Sequence, residues 1–213
     1  MKRVAEAGST ALSVSPSAGT GWRKIVEKRT EGIARRVQMK IGGGALGLAQ
    51  SGSAAGGRKA EMDITWVTDR IAVGGGIWNG ENMAAVSRAG ITHIIDMQIE
   101  FDDSPLAEPH GITVCWNPID DDFELKPPAV FARGVEFALA ALNDDGAKLF
   151  VHCAAGVHRA PMMALALLGA MGWTLDDAMD LIEGRRPAAD FADVYVRSVK
   201  NFLKGRESVK LAK

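Results

Sequence analysis

Three features of this sequence predict an α/β domain: a central, mainly parallel sheet of about five strands flanked by helices on both faces. Apolar-rich runs at Ile91–Met97, Ile112–Trp116 and Lys148–His152 read as strands buried on both sides. Stretches with apolar residues three and four apart lie between and after them and read as helices. A helical tail closes the chain, and strand–helix alternation of this kind is what a parallel sheet with helical crossovers produces.

Taken in order, Ile64 and Trp66, then Ile71 and Val73, form two short strands around Asp69-Arg70. Asn82 to Arg88 is a short helix closed by Gly90, a residue favoured just past a helix C-terminus. The strands at Ile91–Met97 and Ile112–Trp116 are separated by a turn-rich acidic stretch holding Pro105 and Pro109. Pro128 to Leu142 carries Val130, Phe131, Val135, Ala138 and Leu142 at helical spacing, opened by a proline pair and closed by Asn-Asp-Asp-Gly. Lys148–His152 is the next strand. Helices follow at Pro161–Met171, Thr174–Glu183 and Ala192–Lys204.

At roughly 100 to 200 residues per domain, 213 residues make one domain and an appendage. With 47% hydrophobic and 24% charged residues, the chain can bury a single core and is expected to be globular and soluble. Its ends differ in charge: residues 1–60 hold 11 Lys/Arg against 3 Asp/Glu, whereas residues 61–213 hold 14 against 23. An acidic main body is a poor surface for nucleic acid, whose phosphates need clustered cations. The longest unbroken apolar stretch, Ile41–Ala49, has nine residues, four of them Gly, against about 20 needed to span a bilayer. No transmembrane segment and no secretory signal are expected. Two cysteines, Cys115 and Cys153, are too few for a disulfide framework and suit a reducing, cytoplasmic setting.

Residues 1–60 read as a flexible basic extension, rich in Gly, Ser and Ala at 1–20 and 42–60. Trp22, Ile25, Val26, Ile33 and Val37 among seven Lys and Arg form a loose amphipathic helix. A solvated helix, an acidic partner or membrane surface, and an organelle presequence all fit it. Gly42-Gly43-Gly44-Ala45-Leu46-Gly47 matches G-x-G-x-x-G, but Ser51 to Gly57 cannot begin the helix on which a pyrophosphate must sit. Residues 61–213 therefore carry the chemistry.

Within them, Lys148 to Pro161 is a strand, a small-residue loop and a helix start, with Cys153 and Arg159 six positions apart. Loop amides converging at a helix N-terminus make an anion cradle. The same amides stabilise a thiolate at its base, which makes Cys153 a nucleophile. Arg159 can set a planar fork on two oxygens of a phosphate. The four histidines, His93, His110, His152 and His158, contain no close-spaced ligand pair, so no metal and no cofactor are expected.

His152-Cys-x-x-Gly-x-x-Arg159 after a Phe-Val strand resembles the signature of the cysteine-dependent tyrosine and dual-specificity phosphatases, over about residues 61–205. The resemblance implies that Cys153 attacks phosphorus, that Arg159 and the backbone of Ala154, Ala155, Gly156, Val157 and His158 hold the phosphate, and that an acid waits on an earlier loop. Pro118-Ile119-Asp120-Asp121-Asp122 stands at the place of that loop. Its pattern selects Asp121 as the acid, with Asp122 and Asp120 as alternatives, and repulsion among the three is expected to raise at least one pKa. The substrate implied is a phosphorylated protein or a small phosphomonoester.

Two departures matter. Ala160 stands where most relatives have Ser or Thr, which removes a hydroxyl that assists the leaving thiolate and predicts slow turnover. A phosphate-recognising module with little turnover is the competing reading. Arg159-Ala160-Pro161 is similar to the phosphatases of regenerating liver, although the chain ends Leu211-Ala212-Lys213 without their prenylated tail. The loop also lacks the Lys or Arg common in phosphoinositide-directed relatives. Trp78 and the Asp102-Asp103 loop are candidates to border the cleft, and Cys115 is a candidate to protect Cys153 as a reversible disulfide.

Overall fold

In the computed structural model, which describes residues 62–211, five strands alternate with six helices. The readings made for residues 1–60, including the basic segment, its acidic partner and the G-x-G-x-x-G match, lie outside the described residues. The elements are β1 (Ile64–Trp66), β2 (Ile71–Gly74), α1 (Gly80–Arg88), β3 (His93–Asp96), α2 (Ser104–Ala107), β4 (Thr113–Trp116), α3 (Pro128–Ala141), β5 (Leu149–His152), α4 (Arg159–Ala170), α5 (Leu175–Arg185) and α6 (Asp193–Leu211).

The sheet runs β1-β2-β5-β3-β4, antiparallel at β1/β2 and parallel elsewhere. This is the mainly parallel α/β sheet expected. Strand periodicity splits its side chains in two. Ala72, Phe150, Ile94 and Val114 stand in one register row and pack with Ile77, Met83, Val86 and Ala107 under α1 and α2. On the other face, α3 contacts β3, and α4 contacts β2 and β5. Ten residues of α4, Arg159 to Leu168, are buried, which explains why its sequence is apolar on every side.

Side-chain caps open two helices, and α1 begins at Gly80, two residues before the predicted Asn82. Asn79 accepts from the Asn82 amide to open α1, and Thr174 accepts from the Asp177 amide to open α5. Three other elements differ. The acidic stretch holds α2 and a 3₁₀ turn at Glu108–His110, because Pro105 and Pro109 sit in first-turn positions where a missing N–H costs nothing. Helix α4 starts at Arg159 rather than Pro161. Helix α6 continues to Leu211, seven residues past the predicted Lys204. Among the described residues, no helix is long and apolar enough to cross a membrane.

The parallel register aligns Gly74, His152, Asp96 and Trp116 at one edge of the sheet. Four chain segments therefore leave the sheet side by side: 75–79, 97–103, 117–127 and 153–158. A crevice beyond the carboxyl ends of parallel strands is the usual binding place in such a fold.

Candidate active site

Cys153 leaves β5 at the floor of this crevice, 1% exposed, its amide donating to Gly74 O at 3.4 Å. Its sulfur accepts the Gly156 amide at 3.2 Å. That bond requires the loop to double back, and Gly156 does so with φ +65°, where a Cβ would stand 2.3 Å from Arg186 Nη2. The loop then enters α4 at Arg159, so the helix N-terminus points at the same place. Residues 154–158 thus bend around Cys153 between β5 and α4, with the Gly156 amide turned to the sulfur.

Two arginines bracket it. Arg186 lies outside: Nε donates to Gly156 O at 2.7 Å and Nη2 to Ala155 O at 3.3 Å, while Asp63 takes Nη1 and Nη2 at 2.7 and 2.6 Å. The Arg186 hydrogen bonds hold the Asp63 carboxyl below its ordinary pKa. Arg159 lies inside, 4% exposed, with Nη1 and Nη2 paired end-on to Glu100 at 3.0 and 2.8 Å. Nη1 also donates to Ile119 O at 3.2 Å and Met97 O at 3.4 Å, tying two neighbouring loops together. Burial works against the charge, but Glu100, Cys153 and Asp121 outweigh it and hold the guanidinium's pKa above its ordinary value.

End-on pairing leaves the side edge of this guanidinium open. Arg159 Nε is buried and has no hydrogen-bond partner. A buried unsatisfied N–H on a charged group is costly, and native proteins rarely leave one without a reason. Asp121 Oδ2 lies 3.9 Å from this Nε, beyond hydrogen-bond reach. The open edge of Arg159 therefore lies near Asp121 and within the electrostatic reach of Cys153.

Asp121 is the one of the three adjacent acids that turns into the crevice. Its Oδ2 lies 3.0 Å from His158 Nδ1, and its Oδ1 accepts from Tyr195 OH at 2.7 Å. Asp120 caps the amide of Asp121, and Asp122 pairs with Lys126. At Asp122 the shift runs opposite to the one repulsion would give: the Lys126 hydrogen bond holds it below its ordinary pKa, on a solvent-facing side chain. Repulsion is weak there because water and Lys126 screen it. The loop is anchored from α6, where Tyr195 OH accepts the Phe123 amide at 3.0 Å and Ser198 Oγ accepts the Lys126 amide at 3.0 Å.

Below the cradle, His152, Asp96 and Asp103 are wholly buried. Asp103 is therefore no part of the cleft wall, in correction of the sequence reading. His152 Nε2 is 2.8 Å from Asp103 Oδ2, close enough for an ion pair but not aligned as a hydrogen bond. Burial pushes the Asp96 carboxyl up to about 6, against the pull of His152 and of the Gln98 amide that it accepts at 2.8 Å. These three side chains are the group among the described residues that brings ligand-type atoms together, all within 4.8 Å. Spacing between histidines missed it because two of its members are carboxylates. Asp96 already accepts the amides of Gln98 and Asp103, which makes the group a brace for the loop after β3. Cys115 and Cys153 are both free, and burial raises the Cys115 thiol. Trp78 is exposed at 51%, on the loop before α1.

Glu100, Arg186 and Tyr195 escaped the sequence reading. Tyr195 had one available signal: it is the only tyrosine of the chain, on the apolar face of a helix, where a buried hydroxyl needs a partner.

Comparison with known proteins gives the family and the fold. A family model described as "Dual specificity phosphatase, catalytic domain" matches residues 77–204. Protein tyrosine phosphatase type IVA 3 of Mus musculus is 34% identical over 110 residues, 49% of this chain and 60% of the relative. Dual specificity protein phosphatase 5 of Homo sapiens is 31% identical over 72 residues, 33% of this chain and 18% of the relative. The chain thus spans 60% or less of these relatives. Among solved structures, PTPMT1 covers 70% of this chain with 99% of its own at a TM-score of 0.62 and 19% identity, and kinase associated phosphatase reaches 0.59 at 16% identity, covering 70% and 97%. At such identities these structures show the shared fold.

Proposed function

The chain belongs to the dual specificity phosphatase catalytic-domain family, and from that premise we propose that it hydrolyses phosphate monoesters on phosphotyrosine and/or phosphoserine/threonine proteins through a phosphocysteine. The observation that supports this reading is the buried, unpartnered Nε of Arg159, 3.9 Å from Asp121 and acted on by the charge of Cys153. A phosphoryl group on that fork presents phosphorus to the thiolate and its ester oxygen to the carboxyl group.

In the first step the Cys153 thiolate forms the S–P bond as the P–O bond breaks, and Asp121 gives its proton to the departing oxygen. In the second, water forms the new P–O bond, the S–P bond breaks, and Asp121 takes back a proton from that water. Cradle amides and Arg159 bear the charge on the equatorial oxygens throughout. Glu100 serves by orienting Arg159 from its far end.

Proteins are favoured over polyanionic lipids by the charge around the crevice. Glu100, Asp121, Asp122 and Asp190 are all acidic, and positions 154–158 hold neither Lys nor Arg. PTPMT1 has been crystallised with PI(5)P, so an inositol lipid is the comparison substrate for the test. Ala160, buried at the start of α4, provides no hydroxyl for the leaving thiolate and favours slow turnover. It also keeps open a second reading, a phosphate-recognising module that retains its partner. Phosphate release from phosphotyrosine, phosphoserine and PI(5)P substrates tests both. The expected result is a burst followed by slow turnover on phosphopeptides, with Ala160→Ser raising the steady rate up to about tenfold. Faster release from PI(5)P overturns the protein preference. Binding of phosphopeptide with no release identifies the recognition module.

A further inference from the structure

We infer that Tyr195, His158 and Asp190 are positioning residues for the general acid, holding both oxygens of Asp121 so that its transferable proton lies on Oδ2, toward the open edge of Arg159. The inference deepens the proposed function and rests on its assignment of Asp121 as the acid.

The polarity follows from donor counting. Tyr195 OH accepts the Phe123 amide at 3.0 Å, and amides only donate. The single hydroxyl proton is thereby left for Asp121 Oδ1, at 2.7 Å. Burial and the Asp121 acceptor hold the phenol well above its ordinary pKa, so it remains a donor. With Oδ1 engaged as an acceptor, a proton carried by Asp121 sits on Oδ2. That oxygen lies 3.9 Å from Arg159 Nε and 3.0 Å from His158 Nδ1.

His158 is fixed in turn. Its Nε2 is 3.2 Å from Asp190 Oδ2, and the Asp190 amide donates to Val157 O at 2.9 Å, so the segment after α5 is tied to the cradle at two adjacent residues. A proton on Nε2, bonded to Asp190, leaves Nδ1 as the acceptor for the Oδ2 proton of Asp121. The acid is thus held closed over the cradle before substrate arrives, and the leaving-group oxygen takes the proton that His158 Nδ1 was sharing. Phe123 covers the assembly, stacked on Tyr195 with centroids 5.6 Å apart and edge-on to His158 at 5.0 Å. Holding such a loop costs backbone conformation: Phe123 adopts φ +58°.

A residue that acts through the acid affects reactions in proportion to their need for one. The test compares kcat and KM on phenyl phosphate, a poor leaving group, and on difluoromethylumbelliferyl phosphate, an activated one. Asp121→Asn is expected to lose about 100-fold or more in kcat on phenyl phosphate and far less on the activated ester. Tyr195→Phe, which keeps the ring and its stacking, is expected to lose about five- to tenfold on phenyl phosphate alone, with KM unchanged. His158→Ala should behave likewise, with partial recovery in His158→Asn. In Tyr195→Phe/Asp121→Asn the Tyr195 effect should vanish, because the two act through one group. Equal losses on both esters, or additive losses in the double variant, overturn the inference and leave the acid assignment standing. If Asp121→Asn shows no leaving-group bias, the acid assignment itself fails.

Discussion

The two sides of the cradle use the same chemistry to different ends. Outside, Arg186 meets a bidentate carboxylate, Asp63, and spends its remaining donors on the carbonyls of Ala155 and Gly156 and the hydroxyl of Thr65. Inside, Arg159 meets a bidentate carboxylate, Glu100, and keeps Nε unpartnered. The first guanidinium is saturated and holds the backbone; the second is incomplete, which the proposed function reads as a donor kept for an anion. An arginine–carboxylate pair is therefore not informative by itself. What distinguishes structure from function here is the donor left over.

That contrast breaks most visibly at the inner arginine. Arg159→Lys removes the fork but keeps the charge, and kcat/KM on an aryl phosphate should fall about 10² to 10³-fold, the usual cost of losing one preorganised oxyanion donor. Its unfolding midpoint in urea should move less than that of Arg186→Met. If the two variants lose equally in stability and activity, the distinction between the two sides is wrong.

At the outer arginine the larger effect falls on stability. Arg186→Met leaves two cradle carbonyls without their charged donor, and a loss of about 2 kcal/mol is expected from denaturant titration. Tungstate affinity should drop with it, because the carbonyls of Ala155 and Gly156 set where the neighbouring amides point. Glu100→Gln keeps the shape of the inner partner and removes its charge, so a loss of about fivefold in kcat/KM is expected, with little change in stability because Glu100 itself faces solvent.

The smallest effect is a pH signature. Arg186 depresses the Asp63 pKa below 3.8, so the pair's contribution to stability is fully present above about pH 4 and disappears as pH falls through the depressed value. Asp63→Asn should show a constant deficit against wild type in urea midpoint at neutral pH, closing in acid. A deficit that grows on acidification contradicts the assignment.

The scaffold was legible because its signals are local. Buried parallel strands leave apolar runs, and Gly90 and Thr174 sit at helix ends with caps that need only one turn of chain. Proline misled at 105 and 109, where a residue that ends helices also begins them. Cys153 and Arg159 were legible as a pair because one loop holds both. Their supporting residues were not: Glu100 lies 59 positions from Arg159, Tyr195 lies 74 from Asp121, and Asp63 lies 123 from Arg186. Nothing in a linear pattern marks a carboxylate as the partner of an arginine that far away. The choice among Asp120, Asp121 and Asp122 likewise depends on which one meets Tyr195 and His158, a matter of the loop's anchoring to α6.

The central claim is covalent: the phosphoryl group passes through the sulfur of Cys153. Rapid acid quench of the enzyme with an aryl phosphate, followed by peptide mass spectrometry, tests it directly. The account predicts a phosphate adduct on the peptide holding Cys153, formed within the burst, persisting longer in Asp121→Asn and absent in Cys153→Ser, which should not turn over. Steady turnover by Cys153→Ser, or an adduct on any other residue, would contradict it.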